Sequence, residues 1–363
     1  MPLNREIMLR SFDIPFQRLF RTLGFPVSAP FHIAFAVTYR CLNLCNTCHS
    51  FRKSNTKELS LKEYSKVFDR MSFTPFCLTF TGGEPFMRDD FGKIAALACN
   101  RLNPPLVMIE SCGDNPDRIF GVMKTLVDKY DSTQFMVWLS MDSSGEDLDR
   151  MRGGVPDSFE TELRTYHLLK QISARNLMVG FNVLMSKYNI EFGNKLIDDV
   201  FSLYPDFVAL DVAFGCEALG VVAVDVAPDQ ELFEEVVELY IDRVKSSGGR
   251  RLQRFMNSFL VRRARMISKN LDTMQRSRKC FAAHAYLYVD PSGSVKDCPV
   301  AAREMGDLRE NQFDLERILN SATARGVRAG VNLSECFCTM SAPGLANIFL
   351  SPVDYLSLAR EIM

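Results

Sequence analysis

The stretch that decides the fold runs from Ile33 to Cys48 and reads IAFAVTYRCLNLCNTC. Its first six residues are mostly apolar, which is typical of a buried β-strand. The residues that follow contain Cys41, Cys45 and Cys48 in the pattern C-x3-C-x2-C. We therefore expect a buried strand that ends in a loop carrying three thiols.

Short apolar runs of the same kind recur downstream, and segments with helical spacing separate them. The predicted strands are Ile33–Thr38, Cys77–Thr81, Leu106–Ser111, Phe135–Met141, Met178–Met185 and Phe207–Val212, and the predicted helices lie near residues 60–71, 89–101, 116–128, 158–173 and 190–203. Apolar runs joined by helices indicate a parallel sheet that is buried on both faces. Such repeats fit either an incomplete barrel or a doubly wound sheet, and both place the active site at the carboxyl ends of the strands.

Composition and charge are those of an ordinary globular chain. Of its 363 residues, 47% are hydrophobic and 24% are charged, and the formal net charge is −1. This balance excludes a disordered or collagen-like chain, and no nucleic-acid partner is expected because overall charge offers no basis for one. Residues 1–10 carry charges of both signs and no long apolar core, which predicts no signal peptide. The 11 cysteines are therefore expected to be reduced, in a cytoplasmic protein, and free to bind metal.

The sequence changes in character after residue 225, where an acidic helical segment and then a basic one replace the apolar runs. We expect an N-terminal amphipathic segment over residues 1–30, the strand-and-helix domain over 31–225, a helical linker over 226–279 and a small domain over 280–363. The N-terminal segment is expected to pack beneath the first domain, and peripheral contact with a membrane surface is the alternative.

The three thiols of the first loop can converge on one soft metal centre. A [4Fe–4S] cluster takes four ligands, so three cysteines would leave one iron open to a substrate or cofactor. A closed zinc site is the alternative, but it needs a fourth ligand, and the local candidate His49 adjoins Cys48 in an awkward geometry. The spacing alone favours an open cluster at Cys41, Cys45 and Cys48 over zinc.

A second motif, Gly82-Gly83-Glu84-Pro85, follows the second predicted strand. Glycines let the backbone approach a ligand closely, and a carboxylate can pair with an ammonium group. Together with the three cysteines of the first loop, this motif resembles the radical SAM superfamily. The resemblance implies a [4Fe–4S] cluster on those cysteines with S-adenosylmethionine (AdoMet) on its open iron. It also implies that residues 82–85 hold the amino group of AdoMet.

Further segments of the core also resemble that superfamily. The matching side chains are Ser140, Asp142, Arg152 and Asn182. The resemblance implies that these side chains contact AdoMet. Two departures concern the surroundings of the adenine ring: Thr47 replaces the usual aromatic residue before the third cysteine, and residues 110–113 read ESCG.

The C-terminal part carries a second set of cysteines in the pattern C-x17-C-x37-C-x-C. They are Cys280, Cys298, Cys336 and Cys338. A predicted hairpin around Pro291–Gly293 separates the first two. This arrangement resembles the SPASM extension of radical SAM enzymes, or its shorter twitch form, which implies an auxiliary [4Fe–4S] cluster; a structural zinc site is the alternative.

The remaining cysteines are expected to pack in apolar surroundings. They are Cys77, Cys99, Cys112 and Cys216. Because Cys112 and Cys216 lie at the ends of predicted strands, a position facing the active site stays open for both.

The resemblance implies an α/β fold, a partial (β/α)6 TIM-like barrel with a small C-terminal cysteine-bearing α+β domain. It also implies an oxidoreductase or modifying enzyme in which AdoMet is reductively cleaved to a 5′-deoxyadenosyl radical that takes a hydrogen atom from the substrate. The electron donor would be a protein such as a flavodoxin or ferredoxin.

The substrate is expected to be a small molecule, because residues 1–30 are too few for the peptide-recognition domain that most peptide-modifying relatives carry. A peptide-modifying (RiPP-type) maturase is one alternative. A non-catalytic zinc or iron–sulfur binding protein is the other, and it leaves residues 82–85 unexplained.

Overall fold

The fold is described by a computed structural model for residues 21, 29–215, 226–248, 251–333, 336, 341–352, 354 and 358. The predicted N-terminal segment therefore lies almost wholly outside the described residues, as do Cys216 and Cys338. In the described part of the chain, no helix is long and apolar enough to cross a membrane.

The strands of the described residues belong to one sheet. They are β1 (His32–Thr38), β2 (Cys77–Gly82), β3 (Leu106–Ser111), β4 (Gln134–Ser140), β5 (Leu177–Met185), β6 (Val208–Val212), β7 (Tyr286–Val289), β8 (Ser294–Lys296) and β9 (Glu304–Asp307). Their order is β6-β5-β4-β3-β2-β1-β7-β8-β9. All pairings from β6 across to β7 are parallel, whereas β8 and β9 continue the sheet as antiparallel strands.

Helices follow the parallel strands, as the apolar periodicity predicts. They are α1 (Leu61–Arg70), α2 (Phe91–Leu102), α3 (Pro116–Lys129), α4 (Glu146–Met151), α5 (Ser158–Lys170), α6 (Gly193–Ser202), α7 (Gln230–Ser246), α8 (Arg251–Thr273), α9 (Leu315–Leu319), α10 (Ala322–Leu333) and α11 (Ser341–Phe349). Short 3-10 turns cover Ser50–Lys53, Pro85–Met87 and Ile190–Phe192. The start of α1 is fixed by a capping box, in which Ser60 and Glu63 satisfy each other's backbone N–H groups.

The strand order confirms the partial barrel. A doubly wound sheet reverses its strand order at a switch point, whereas β1 to β6 follow one another across this sheet in sequence. The predicted C-terminal hairpin is also confirmed, since β7 and β8 pair in antiparallel fashion. β7 in addition pairs with β1, from His32 opposite Tyr286 to Phe35 opposite Val289. The sheet of the barrel therefore runs on into residues 280–363, and the boundary at residue 280 stays a prediction.

Alternate side chains of the strands point into the barrel, and their character changes along the strands. Near the amino ends, the interior is an apolar cluster that α8 and α11 help to close. It includes Cys77, Met108, Trp138, Ala209, Phe255, Phe259 and Phe349. The outer face of the sheet packs against the surrounding helices in a larger cluster that includes Cys99. Cys77 and Cys99 thus lie in apolar surroundings, and the apolar cluster fills the barrel near the amino ends of its strands.

Two glycines allow a test of the close contact between β5 and the residue that precedes β6. A Cβ atom at Gly180, on β5, would lie 2.1 Å from the backbone oxygen of Phe207, whereas one at the exposed Gly121, on α3, would have no atom within 4 Å. We expect Gly180→Ala to lower the free energy of unfolding by about 1–3 kcal/mol or more, because backbone must move. Gly121→Ala should raise it by about 0.5–1 kcal/mol, because alanine is the better helix former. Urea unfolding of both variants checks this, and equal effects would contradict the described contact between β5 and β6.

Candidate active site

A cavity of about 270 Å³ lies at the carboxyl ends of the barrel strands. Most of the site residues predicted from the first motifs line it. These are Cys41, Cys45, Cys48, Gly82, Gly83, Ser140, Asp142, Arg152 and Asn182. The loops after β1 and β2 and the ends of β4 and β5 therefore converge on one place.

The loop with the three thiols is attached to the end of α4. Leu44 N donates to Arg152 O, and Asn46 N donates to Met151 O, each at 3.0 Å. All three cysteines are half-buried and border the cavity. These two hydrogen bonds attach the loop to the barrel on both sides of Cys45, so contacts within the protein position the loop.

The thiols influence one another's ionisation. Burial raises the pKa of Cys45, and the charges of Asp142 and Cys48 add to this rise. Burial likewise raises the pKa of Cys48. Cys41 differs, because a hydrogen bond with the Cys112 thiol lowers its pKa. The thiols thus share one small volume, although no three His, Cys, Asp or Glu side chains of the described residues are arranged as a finished metal site.

Gly82 and Gly83 bring the second motif against the start of the cysteine loop. Gly83 N donates to Thr38 O at 2.7 Å, and Glu84 N donates to Arg40 O at 2.8 Å. A Cβ atom at Gly82 would lie 2.1 Å from Thr38 O, and one at Gly83 would lie 2.2 Å from Arg40 O. The glycines are therefore required for contact between the two motifs, and they also border the cavity.

The carboxylate of Glu84 is buried and contacts the end of β3. It accepts hydrogen bonds from Ser111 Oγ at 3.0 Å, from Cys112 N at 2.8 Å and from Cys112 Sγ at 2.9 Å. Burial raises its pKa, and the Cys112 thiol opposes that rise. Pro85 begins the 3-10 turn that follows, and neither residue is among the described residues lining the cavity. Contact of Glu84 and Pro85 with AdoMet stays a prediction, while the structure places Glu84 as the residue that orders the loop after β3.

Arg152 joins several elements through a guanidinium group that is 2% exposed. Its Nη1 donates to Cys112 O at 3.1 Å, and its Nη2 donates to Ser140 O at 2.7 Å and to Glu162 Oε2 at 2.6 Å. Burial disfavours the charged form, but Glu162 and other nearby charges raise the pKa of Arg152. Arg152 borders the cavity, yet these hydrogen bonds are to the protein, so its contact with the AdoMet carboxylate stays a prediction.

Ser140 and Asn182 are directly opposite each other on β4 and β5. Asp142, two residues beyond Ser140, accepts a hydrogen bond from Leu184 N at 3.3 Å. Burial raises the pKa of Asp142 to about 6, and Arg152 opposes this shift. Among the described residues Asn182 Oδ1 is buried without a hydrogen-bond partner. This wall of the cavity therefore offers a ligand an unused amide oxygen.

Three of the predicted auxiliary cysteines belong to the described residues. Cys280 and Cys298 are buried, and Cys336 is half-buried. Burial raises the pKa of Cys280, with the charge of Cys336 adding to the rise. Burial raises the pKa of Cys298 as well, with Asp297 and then Cys280 adding to it. Cys280 is thus linked electrostatically to Cys336 and to Cys298, while Cys338 lies outside the described residues.

Sequence reasoning missed several residues that line the cavity. They include Thr79, Thr81, Glu110, Ser111, Asp211, Tyr286 and Tyr288. A signal for Glu110 and Asp211 exists, because each is a carboxylate inside an apolar strand. Nothing comparable marks the two tyrosines, which reach the site because β7 pairs with β1. Cys112 also lines the cavity, which is the position left open for it by the sequence.

The fold and the site define a partial α/β barrel with a three-thiol centre just beyond its first strand. Residues 35–199 match the Radical SAM superfamily. This part of the chain is therefore a radical SAM domain.

Solved structures with a similar fold have low sequence identity. The chain is 13% identical to native anSMEcpe with bound AdoMet and Cp18Cys peptide, with a TM-score of 0.58, covering 92% of this chain and 100% of that one. It is 14% identical to Streptococcus suis SuiB bound to its precursor peptide SuiA, with a TM-score of 0.60, covering 86% and 69%. At this identity the likeness concerns the fold.

The family implies a [4Fe–4S] cluster and AdoMet, and the residues present fit both groups. Three half-buried thiols border one cavity, which suits a cluster with three protein ligands. The unpartnered Asn182 Oδ1 and the acid Asp142 line the same cavity and can accept hydrogen bonds from a bound AdoMet.

The Arg152–Glu162 pair makes a second test. We expect Arg152→Met to lower the free energy of unfolding by about 3–5 kcal/mol, because Glu162 would be left buried without its partner. Arg152→Met combined with Glu162→Met should recover most of that loss in urea unfolding of the metal-free protein. In the exposed pair of Arg164 with Asp117, Arg164→Met should cost no more than about 1 kcal/mol. A double variant as unstable as Arg152→Met alone would show that the carbonyl contacts of Arg152 matter more than its charge.

Proposed function

We propose that the protein is a radical SAM enzyme that reductively cleaves AdoMet and removes a hydrogen atom from a small-molecule substrate. When bound, the cluster supplies one electron that splits AdoMet into methionine and a 5′-deoxyadenosyl radical, which takes the hydrogen atom. The electron would come from a reduced flavodoxin or ferredoxin. The protein's own part is to hold the reactants together and to exclude water from the radical.

The observation that carries this proposal is the convergence of two motifs on one cavity. Cys41, Cys45 and Cys48 supply three thiols. Gly82 and Gly83 pack against the backbone just before Cys41, and Gly83 N donates a hydrogen bond to Thr38 O. A structural zinc site would need a fourth ligand beside these three thiols, and it would give residues 82–85 no role. An open cluster with AdoMet gives both motifs a role.

The first candidate for the substrate is a small molecule. A few polar side chains of the strands, among them Thr79, Glu110 and Asp211, line the cavity beside apolar ones, which is the pattern of small-molecule sites. Because two similar structures contain peptides, a peptide-modifying enzyme is the second candidate. Transfer of deuterium from a labelled peptide into 5′-deoxyadenosine would favour that second candidate.

An auxiliary cluster at Cys280, Cys298, Cys336 and Cys338 completes the proposal. After the radical has taken a hydrogen atom, the substrate radical can lose one further electron and one proton. The auxiliary cluster would accept that electron, which makes the net reaction a two-electron oxidation. The electrostatic links of Cys280 to Cys336 and to Cys298 support this role.

The first prediction from this proposal concerns the open cluster. Replacing Cys41, Cys45 or Cys48 by alanine should abolish 5′-deoxyadenosine formation from AdoMet under dithionite, because each thiol is a ligand. Cys99→Ala is the matched control, since Cys99 is a buried residue of α2 that does not line the cavity. Reconstituted protein is assayed by chromatography without added substrate. Undiminished cleavage in any of the three ligand variants would refute the assigned centre.

The second prediction concerns the auxiliary centre. Anaerobic reconstitution should load about eight irons per chain, and Cys298→Ala should load about four, because one of two clusters is lost. This variant should still cleave AdoMet under dithionite. Bound zinc in place of the second set of irons would overturn the auxiliary cluster, and zinc without any iron would overturn the whole proposal.

A further inference from the structure

One wall of the cavity has no role in the proposed binding of the cluster and AdoMet. It consists of side chains from β2, β3, β6 and β7, and two of these strands, β3 and β6, flank the strands β4 and β5 that carry Ser140 and Asn182. They are Thr79, Thr81, Glu110, Asp211, Tyr286 and Tyr288. Glu110 and Asp211 lie two residues beyond Met108 and Ala209 of the apolar interior cluster, so they form the first polar layer above it.

The two carboxylates of this layer differ in their partners. Arg263 of α8, 1% exposed, pairs with Asp211 and also donates from Nη1 to Leu210 O at 3.2 Å. Glu110 accepts a hydrogen bond from Thr81 Oγ1 at 2.6 Å through Oε2. The negative charge of Asp211 is therefore compensated by a guanidinium group. The hydrogen-bond donor to Glu110, by contrast, is the uncharged hydroxyl group of Thr81.

Glu110 is placed where a charge is costly unless a ligand compensates it. Burial raises its pKa, Thr81 opposes the rise, and the charge of Asp211 adds to it. Arg263 also lowers the pKa of Glu110, but its effect is the smallest of these. Glu110 lines the cavity next to the apolar interior cluster, so a hydrogen-bond donor on a bound ligand can reach its carboxylate there.

We propose that Glu110 is a substrate-binding residue that receives a hydrogen-bond-donating group, a hydroxyl or an ammonium, of the substrate. This inference rests on the proposed function, because it assigns to the substrate the cavity side chains that have no role in the proposed binding of the cluster and AdoMet. A substrate carboxylate at this wall would meet the like charge of Glu110, while Arg263 is already paired with Asp211, so the wall selects against anionic groups. Tyr286 and Tyr288 beside it offer ring surface to the carbon skeleton.

The test uses reconstituted protein saturated with AdoMet and three probes that share a cyclohexane ring: cyclohexylamine, cyclohexanol and cyclohexanecarboxylate. Ligand-observed NMR gives their dissociation constants. We expect the amine or the alcohol to bind at least about tenfold more tightly than the carboxylate. Glu110→Leu, which keeps the volume, should remove this preference. Glu110→Gln distinguishes the two donors, because it should weaken the amine and spare the alcohol.

The control is Glu238→Gln on the exposed face of α7, which should leave every dissociation constant unchanged. Equal binding of the three probes, absence of binding by both donors, or a preference that survives Glu110→Leu would overturn the inference. Dithionite-driven formation of 5′-deoxyadenosine without probe is measured in parallel. If the wild type formed no 5′-deoxyadenosine, the proposed function would be refuted. If it formed 5′-deoxyadenosine but bound the three probes equally, only the role of Glu110 would be refuted.

Discussion

The buried guanidinium group of Arg152 is the interaction on which the site depends. It holds the ends of β3 and β4 through Cys112 O and Ser140 O, and α5 through Glu162. Its own backbone oxygen accepts from Leu44 N in the cysteine loop. A planar fork with several donors can bind three segments at once, which a lysine ammonium on a flexible stem does less well. The guanidinium group of Arg152 fixes the position of this residue, and its backbone oxygen in turn holds the loop that carries the three thiols.

A second constraint is the close contact between the two glycines and the first loop. Because backbone oxygens of Thr38 and Arg40 occupy the space of a Cβ atom, no other residue fits at positions 82 and 83 without movement. The two motifs are thus packed together, and a ligand of one is a neighbour of the other. The apolar cluster fills the barrel near the amino ends of the strands, and the cavity lies at their carboxyl ends, beside the two motifs.

Much of this could be predicted from the sequence, because buried parallel strands read as apolar runs and cysteine spacing is local. The strands, the helices and the three-thiol loop follow from these patterns. The choice of a barrel over a doubly wound sheet, and the side chains predicted around the thiols, came from the resemblance to the radical SAM superfamily. Glu84 was read as a ligand residue, and its contacts with Ser111 and Cys112 depend on the position of β3, which no local pattern reports. The pairing of β7 with β1 was missed for the same reason, since it joins residues far apart in the chain.

The cysteines link the fold to the proposed chemistry. Burial raises the pKa of Cys45, Cys48, Cys280 and Cys298, so these thiols are held in their neutral form by the folded protein. A metal ligand must be a thiolate, and a bound metal centre compensates the charge that burial disfavours. Binding of iron would therefore release the protons of these thiols. It would also raise the free energy of unfolding of the protein.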